Sequence, residues 1–209
     1  MIQSKKIIGR GAEAIIYLNN KNNQVIKERI SKSYRIPEID KKIIKSRTKA
    51  ESKILEKVSI IINAPQPEKI QELNIIKMPY IKGKKLSNAL DNFPLSKQLS
   101  IMKEIGKSVA KIHEAGIIHG DLTTSNMIFI EKENKVYFID FGLSFQNGKY
   151  EDKGVDVHLL KQALEARHFK NWEVLFKDFE KSYRNESPKE AKKVFERLKA
   201  IEKRGRYKH

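Results

Sequence analysis

Two short apolar runs, MIFIE at 127–131 and KVYFI at 135–139, flank Lys132, Glu133 and Asn134. β-branched and aromatic residues on both sides of so short a polar break predict a β-hairpin. A hairpin constrains more than itself, because the residue before its first strand and the residue after its second must meet at one open end. Here those residues are Asn126, which closes HGDLTTSN, and Asp140, in IDFG. Two oxygen-bearing side chains therefore converge. Asp and Asn oxygens suit Mg²⁺, a hard cation commonly shared with nucleotide phosphates. Asp121, five residues before Asn126 on the same loop, can approach a substrate hydroxyl.

HGDLTTSN also reads as H-x-D-x-x-x-x-N, the catalytic-loop pattern of protein kinases, in which the Asp handles a hydroxyl proton and the Asn holds a metal ion. Read alone, the stretch is equally a turn, since Gly, Asp, Ser, Thr and Asn all favour loops. The rest of the chain decides. Lys27, in QVIKE, occupies the place of the lysine in V-A-I-K, and Glu51 is the natural carboxylate to hold it toward phosphates. Upstream, Gly9-Arg10-Gly11-Ala12-Glu13-Ala14 is a G-x-G-x-x-A loop between two expected strands, a context that excludes a Rossmann turn. Taken singly, Lys27 reads as an exposed strand lysine and Glu51 as a solvated helix residue; their order along the chain gives them meaning. Asp121 and Asp140 flank an apolar hairpin, a costly place for carboxylates without ion or hydrogen-bond partners. His119 reads as a brace for its loop, and Trp172, Phe176 and Phe179 as core.

The remaining chain supplies a frame. QSKKII, AIIYL and QVIKERI predict an antiparallel sheet, followed after Pro37 by a helix of about 20 residues with an apolar stripe of Ile39, Ile43, Ile44, Ala50, Ile54, Leu55 and Val58. KIQEL and NIIKMPYI predict two more strands joined near Asn74. From Ser96, a plausible N-cap, the period becomes 3.6 through Leu99, Met102, Ile105, Val109 and Ile112, with Gly116 placed to end the helix. Three further helices are expected at Val155–Arg167, Trp172–Tyr183 and Pro188–Lys203, the last opened by a capping box of Ser187 and Glu190. The domain expectation is an N-lobe at 1–81, a linker at 82–85, a C-lobe at 86–202 and a basic tail at 203–209.

Composition narrows the partners. Lys and Arg number 43 against 26 Asp and Glu, a net +17 that attracts polyanions, nucleic acid above all; the bland alternative is solvated lysine on helix faces. The chain has no cysteine, which excludes disulfides and thiolate metal sites and fits a reducing compartment. MIQSKK lacks an apolar signal core, and the longest apolar run, around VSIII, is far short of the roughly 18 residues a membrane span needs. The expectation is a cytoplasmic protein with no membrane contact.

With these residues in view, the chain resembles the small atypical protein kinases that serve as the kinase/ATPase subunit of the KEOPS (EKC) complex and are related to the RIO kinases. GAEAIIY, VIKERISKSYRIPEID, RTKAES, HGDLTTSNM, IDFGLS, EDKGVD and KRGRYKH carry the resemblance, which covers nearly the whole chain. It implies an α+β fold: a reduced bilobal kinase whose N-lobe has an antiparallel sheet and one long helix, and whose small C-lobe is mainly helical. It implies an ATP- and Mg²⁺-dependent ATPase and atypical Ser/Thr kinase, acting in threonylcarbamoyl-adenosine modification of tRNA beside a metal-containing catalytic subunit. Asp121 would be the base or water-orienting residue, Lys27 with Glu51 would bind phosphates, and Asn126 with Asp140 would hold Mg²⁺. The loop of Gly9, Gly11, Ala12, Glu13 and Ala14 would cradle the nucleotide, and the backbone of Met78, Pro79, Tyr80 and Ile81 would meet adenine. Glu151, Asp152 and Lys153 and the basic tail would face the partner subunit and tRNA. Two departures from ordinary protein kinases stand out: HGD replaces H-R-D, and no A-P-E follows IDFG. The rival readings are a small-molecule kinase of aminoglycoside-phosphotransferase type and a non-catalytic tRNA-binding scaffold.

Overall fold

The computed structural model describes residues 5–69 and 71–205. The chain divides into two compact units, one from the residues up to Ser59 with Ala64–Ile81, the other from Ile60–Asn63 with the residues from Lys82 onward.

The first unit is a four-stranded antiparallel sheet in the order β1-β2-β3-β4 with one long helix. The strands are β1 (Lys5–Arg10), β2 (Ala14–Asn19), β3 (Gln24–Arg29) and β4 (Ile75–Pro79). Successive side chains of a strand point to opposite faces, so Lys27 and Arg29 of β3 share a face while Ile26 occupies the other. All three are buried. Helix α1 (Pro37–Ile61) keeps part of the apolar stripe expected of it: Ile54, Leu55 and Val58 are buried and Ile43 and Ile44 half-buried, but Ile39 and Ala50 are exposed and Asp40, Thr48, Glu51 and Ser52 are buried in their stead. The face is centred on Glu51, with Thr48, Leu55 and Val58 at the three- and four-residue spacings of one helical stripe. Its first half is polar because it serves partners: Asp40 accepts from Ser31 Oγ (2.6 Å), Arg35 NH1 (3.1 Å) and Lys32 N (3.3 Å), pinning the β3–α1 connection. KIQEL forms no strand in its described residues, Glu72–Asn74 make a turn, and Ile70 lies outside the described residues.

The second unit is mainly helical. Lys84–Lys85, expected as linker, form strand β5, which pairs with β7 (Met127–Ile130), itself paired with β8 (Lys135–Phe138). After the short helix α2 (Leu86–Ala89) comes α3 (Leu95–Glu114), whose N-cap is Pro94 rather than Ser96: the Pro94 carbonyl accepts from the amides of Lys97 and Gln98. Gly116 ends α3 in the left-handed region at φ +72°, where glycine carries no steric penalty. Strand β6 (Ile117–Ile118) then leads into HGDLTTSN. Helices α4 (Tyr150–Arg167), α5 (Trp172–Glu186) and α6 (Pro188–Gly205) complete the unit. Glu190 spends its carboxylate on Tyr150 OH (3.1 Å) and on Lys153, not on a capping box. The basic ending is helical through Lys203 and Arg204; residues 206–209 lie outside the described residues.

Helices α3 and α5 approach closely at Gly106, where a Cβ would lie 2.5 Å from the Phe179 carbonyl oxygen and 2.9 Å from Ser182 Cβ. Helix propensity alone favours alanine over glycine by about 0.5–1 kcal/mol. Overpacking against backbone costs about 1–3 kcal/mol and wins. Gly106→Ala should therefore lower the calorimetric unfolding midpoint by several degrees; a raised midpoint would refute the close approach.

Candidate functional site

In the first unit, β3 and α1 bring Lys27 and Glu51 together. Lys27 Nζ donates to Glu51 Oε1 at 2.6 Å, and both side chains are buried. Arg29 NH2 takes the other carboxylate oxygen at 2.6 Å, an arrangement the sequence reading missed although Arg29 shares the strand face of Lys27. In the glycine-rich loop the Gly11 amide donates to the Ala14 carbonyl (2.9 Å), and the Glu13 carboxylate is held by Arg29 NH1 (3.1 Å) and by Arg47. Of the four adenine candidates, Met78 and Pro79 end β4, Pro79 has no amide hydrogen, and the Tyr80 amide donates to Asn23 O at 2.9 Å.

In the second unit the hairpin register sets the chemistry. Met127 pairs with Phe138, and the Ile139 amide donates to Asn126 O at 2.9 Å, which places Asn126 beside the chain as it enters Asp140. Asp140, exposed, adopts φ +62°, a left-handed conformation that Asp tolerates better than most residues. Asn126 Nδ2 donates twice to Asp121, to its carbonyl (2.9 Å) and to Oδ2 (2.8 Å). With its nitrogen committed, Asn126 has Oδ1 left to offer a cation, and Asp121 keeps a carboxylate oxygen beside it. One carboxylate and one amide oxygen are hard donors and fit Mg²⁺ completed by phosphate and water. They do not form an all-protein cage, in keeping with the absence, among the described residues, of any cluster of three or more acidic or histidine ligands.

The loop is braced from behind. Asp156, on α4, accepts from the amides of His119 (2.7 Å) and Gly120 (2.8 Å), and His113 Nε2 lies 3.3 Å from the same carboxylate. Tyr183 OH meets His113 Nδ1 at 2.9 Å, so the imidazole bridges Tyr183 and Asp156. Burial pushes the Asp156 carboxyl up, but the His113 hydrogen bond and charge, with the His119 contacts, outweigh it and hold it below the usual carboxylate range. His119 is fully buried; its Nδ1 accepts from the Asp121 amide (3.3 Å), leaving Nε2–H to donate to Ile139 O (3.2 Å). It is thus the brace the sequence suggested. His168 adds a second support, joining Thr124 Oγ1 (3.1 Å) to Asp91 (3.0 Å). His113 and His168 went unnoticed in the sequence, and the bracing role of Asp156, the last residue of EDKGVD, was not read there, because their partners lie 36 to 77 residues away. Of EDKGVD, Glu151 pairs with Arg204, Asp152 accepts from the Lys149 amide at 2.7 Å, and Lys153 is buried against Glu190.

An antiparallel sheet carrying a Lys–Glu pair, followed by a helical unit whose hairpin end presents Asp, Asn and Asp, defines a kinase-like fold. Residues 14–154 match the RIO domain. A Pyrococcus abyssi protein named KEOPS complex subunit Bud32 is 44% identical over 97% of this chain and 96% of its own length. An Archaeoglobus fulgidus protein named probable serine/threonine-protein kinase BUD32 homolog is 41% identical over 88% of this chain and 89% of its own. The chain belongs to this Bud32 family of kinases related to the RIO kinases. In Methanobrevibacter smithii a probable bifunctional tRNA threonylcarbamoyladenosine biosynthesis protein is 40% identical over 97% of this chain, which spans 37% of that longer protein.

Burial holds the His119 pKa below its ordinary value, against the raising influence of the nearby Asp156, Asp140 and Asp121 carboxylates. Below about pH 6.5 the unfolded chain then binds a proton at this imidazole that the native chain does not. The stability contributed by neutral His119 is full above that pH and is lost as pH falls toward the depressed native value. Urea unfolding from pH 8 to 5 should show this decline, and His119→Asn should flatten it; an equally steep decline in the variant would remove His119 as the cause.

Proposed function

We propose that this chain binds Mg²⁺-ATP and transfers or hydrolyses its terminal phosphoryl group as the kinase/ATPase subunit of a KEOPS complex, supporting threonylcarbamoyl-adenosine modification of tRNA. The observation that carries this reading is the hairpin end, where Asn126 is locked onto Asp121 and set beside Asp140. The Lys27–Glu51 pair and the Bud32 names of the relatives support it.

The roles follow from chemistry. Lys27, oriented by Glu51, offers a point cation to phosphate oxygens, and the loop of Gly9 to Ala14 cradles them. Asn126 and Asp140 would hold Mg²⁺, which would supply positive charge to the phosphate oxygens. Asp121 orients the attacking water or hydroxyl and takes its proton as the bond to phosphorus forms and ADP departs. The backbone of Met78–Ile81 meets adenine, with Tyr80 contributing no free amide. The partners are the metal-containing catalytic subunit, the other subunits of the complex, and tRNA, for whose phosphates the +17 charge is suited. No helix among the described residues is long and apolar enough to cross a membrane. A tRNA-directed role is consistent with work in the cytoplasm.

Because a positioned base contributes about 10²–10⁴ in rate, Asp121→Asn should lose turnover by that order while keeping Mg²⁺-ATP affinity. Asp140→Ala should lose both. Calorimetric Mg²⁺-ATP titration and ATP turnover, with and without the partner subunit and tRNA, separate the two. Hydrolysis at the parental rate by Asp121→Asn would refute its role.

A further inference from the structure

We infer that Arg29 is a positioning residue that ties the glycine-rich loop to the phosphate-binding lysine, so that the two are set together. The inference rests on the nucleotide-binding reading of Lys27 and residues 9–14. Five side chains of alternating charge run in a line, Lys27–Glu51–Arg29–Glu13–Arg47, with Arg29 at the centre. Its guanidinium spends NH2 on Glu51 Oε2 (2.6 Å) and NH1 on Glu13 Oε2 (3.1 Å). Glu51 belongs to α1 and orients Lys27; Glu13 belongs to the loop. Backbone contacts run in parallel: the Ile30 amide donates to Glu13 O (3.1 Å), and Lys32 Nζ donates to Ala12 O.

Charge neutralisation alone does not explain this residue. Lys27 already compensates Glu51, and Arg47 already compensates Glu13. Arg29 is also a poor choice for stability, since its side chain is only 4% exposed and its Nε has no hydrogen-bond partner. Leaving a buried donor unmet is unfavourable. What Arg29 adds is a rigid fork that reaches two carboxylates at once, which a lysine ammonium on a flexible stem does not reproduce. The inner link is buried and the outer one half-exposed, with Glu13 38% and Arg47 45% exposed. The loop is thus held at one firm point, through Arg29, and at one easily broken point, through Arg47.

The test uses the full chain and the variants Arg29→Met, Arg29→Lys, Glu13→Gln and Arg29→Met with Glu13→Gln. Arg29→Met leaves Glu51 paired with Lys27 and Glu13 with Arg47, Glu13→Gln alters a half-exposed side chain, and a parental-like cooperative urea transition identifies the variants that keep the fold. Hydrogen exchange over residues 9–14 is measured without nucleotide, and KM and kcat for Mg²⁺-ATP turnover alongside. Coupled neighbours are non-additive, so Arg29→Met should raise both loop exchange and KM about tenfold with kcat within about threefold, and the double variant should add nothing further. Glu13→Gln should shift both in the same direction, and Arg29→Lys should not restore KM. If Arg29→Lys behaves as the parent and Glu13→Gln is silent in loop exchange, Arg29 merely neutralises Glu51 and the inference is overturned. A parent chain that neither binds nor hydrolyses Mg²⁺-ATP would overturn the nucleotide reading instead, while the exchange data would still decide the link.

Discussion

The HGDLTTSN loop hangs on one buried carboxylate. Asp156 is 1% exposed, and isolating a charge from water costs several kcal/mol unless donors repay it. Here they do: two loop amides and His113, itself backed by Tyr183. The loop therefore sits where α4 holds Asp156, and the depth of α4 in turn depends on α6. At Gly154 a Cβ would stand 3.1 Å from both Arg197 Cβ and Ile201 Cδ1, so glycine lets α6 close over α4. Lys153, beside it, reaches Glu190 of the same helix. EDKGVD thus has a structural explanation in this chain: its last residue is the carboxylate that braces the loop, and Lys153 and Gly154 just before it seat α4 against α6.

A second buried carboxylate organises the first unit. Glu51 accepts from Lys27 and Arg29, neighbours two apart on one strand face, and the helix that presents it must turn a polar flank inward. An apolar-stripe argument misses this: it places Ile39 and Ala50 inward, whereas both are exposed and Thr48, Glu51 and Ser52 are buried. Burial here follows the ion pairs of Asp40 and Glu51 as well as the hydropathy of Ile54, Leu55 and Val58.

What was legible and what was not divide along the range of the interactions. The hairpin, Asn126 beside the start of the Asp140 turn, and the Lys27–Glu51 pair were readable because motif order and strand alternation are local rules that tertiary contacts only complete. Asp156 was visible only as the last residue of EDKGVD, a passage read for its resemblance and not for a bracing role. Its role needs the fold of α4 over a loop 36 residues upstream. Arg29 looked like one more cation in a chain of 43, until β3 and α1 brought its two carboxylates together. Errors at element ends have physical reasons too. The Pro94 carbonyl accepts the first amides of α3, and Lys84–Lys85 find the exposed edge of β7.

The short stretch between Asp140 and α4 bears on which chemistry the site can support. In a kinase that docks peptides, the segment after the metal-binding Asp is long and carries the substrate platform. Here it turns back at once: Ser144 N donates to Phe141 O, and Phe145–Gln146 pair with Ile117–Ile118 as strand β9. The Gly148 amide then donates to Gly116 O at 3.1 Å, and a Cβ at Gly148 would fall 2.2 Å from Ile118 Cγ1. Two residues on, α4 begins. A segment pinned at both β9 and Gly148 has little slack for an extended peptide to pair with. On the phosphoryl-transfer reading proposed above, the pinned segment suits water, or a hydroxyl presented by a bound partner, better than selection of substrates by peptide sequence.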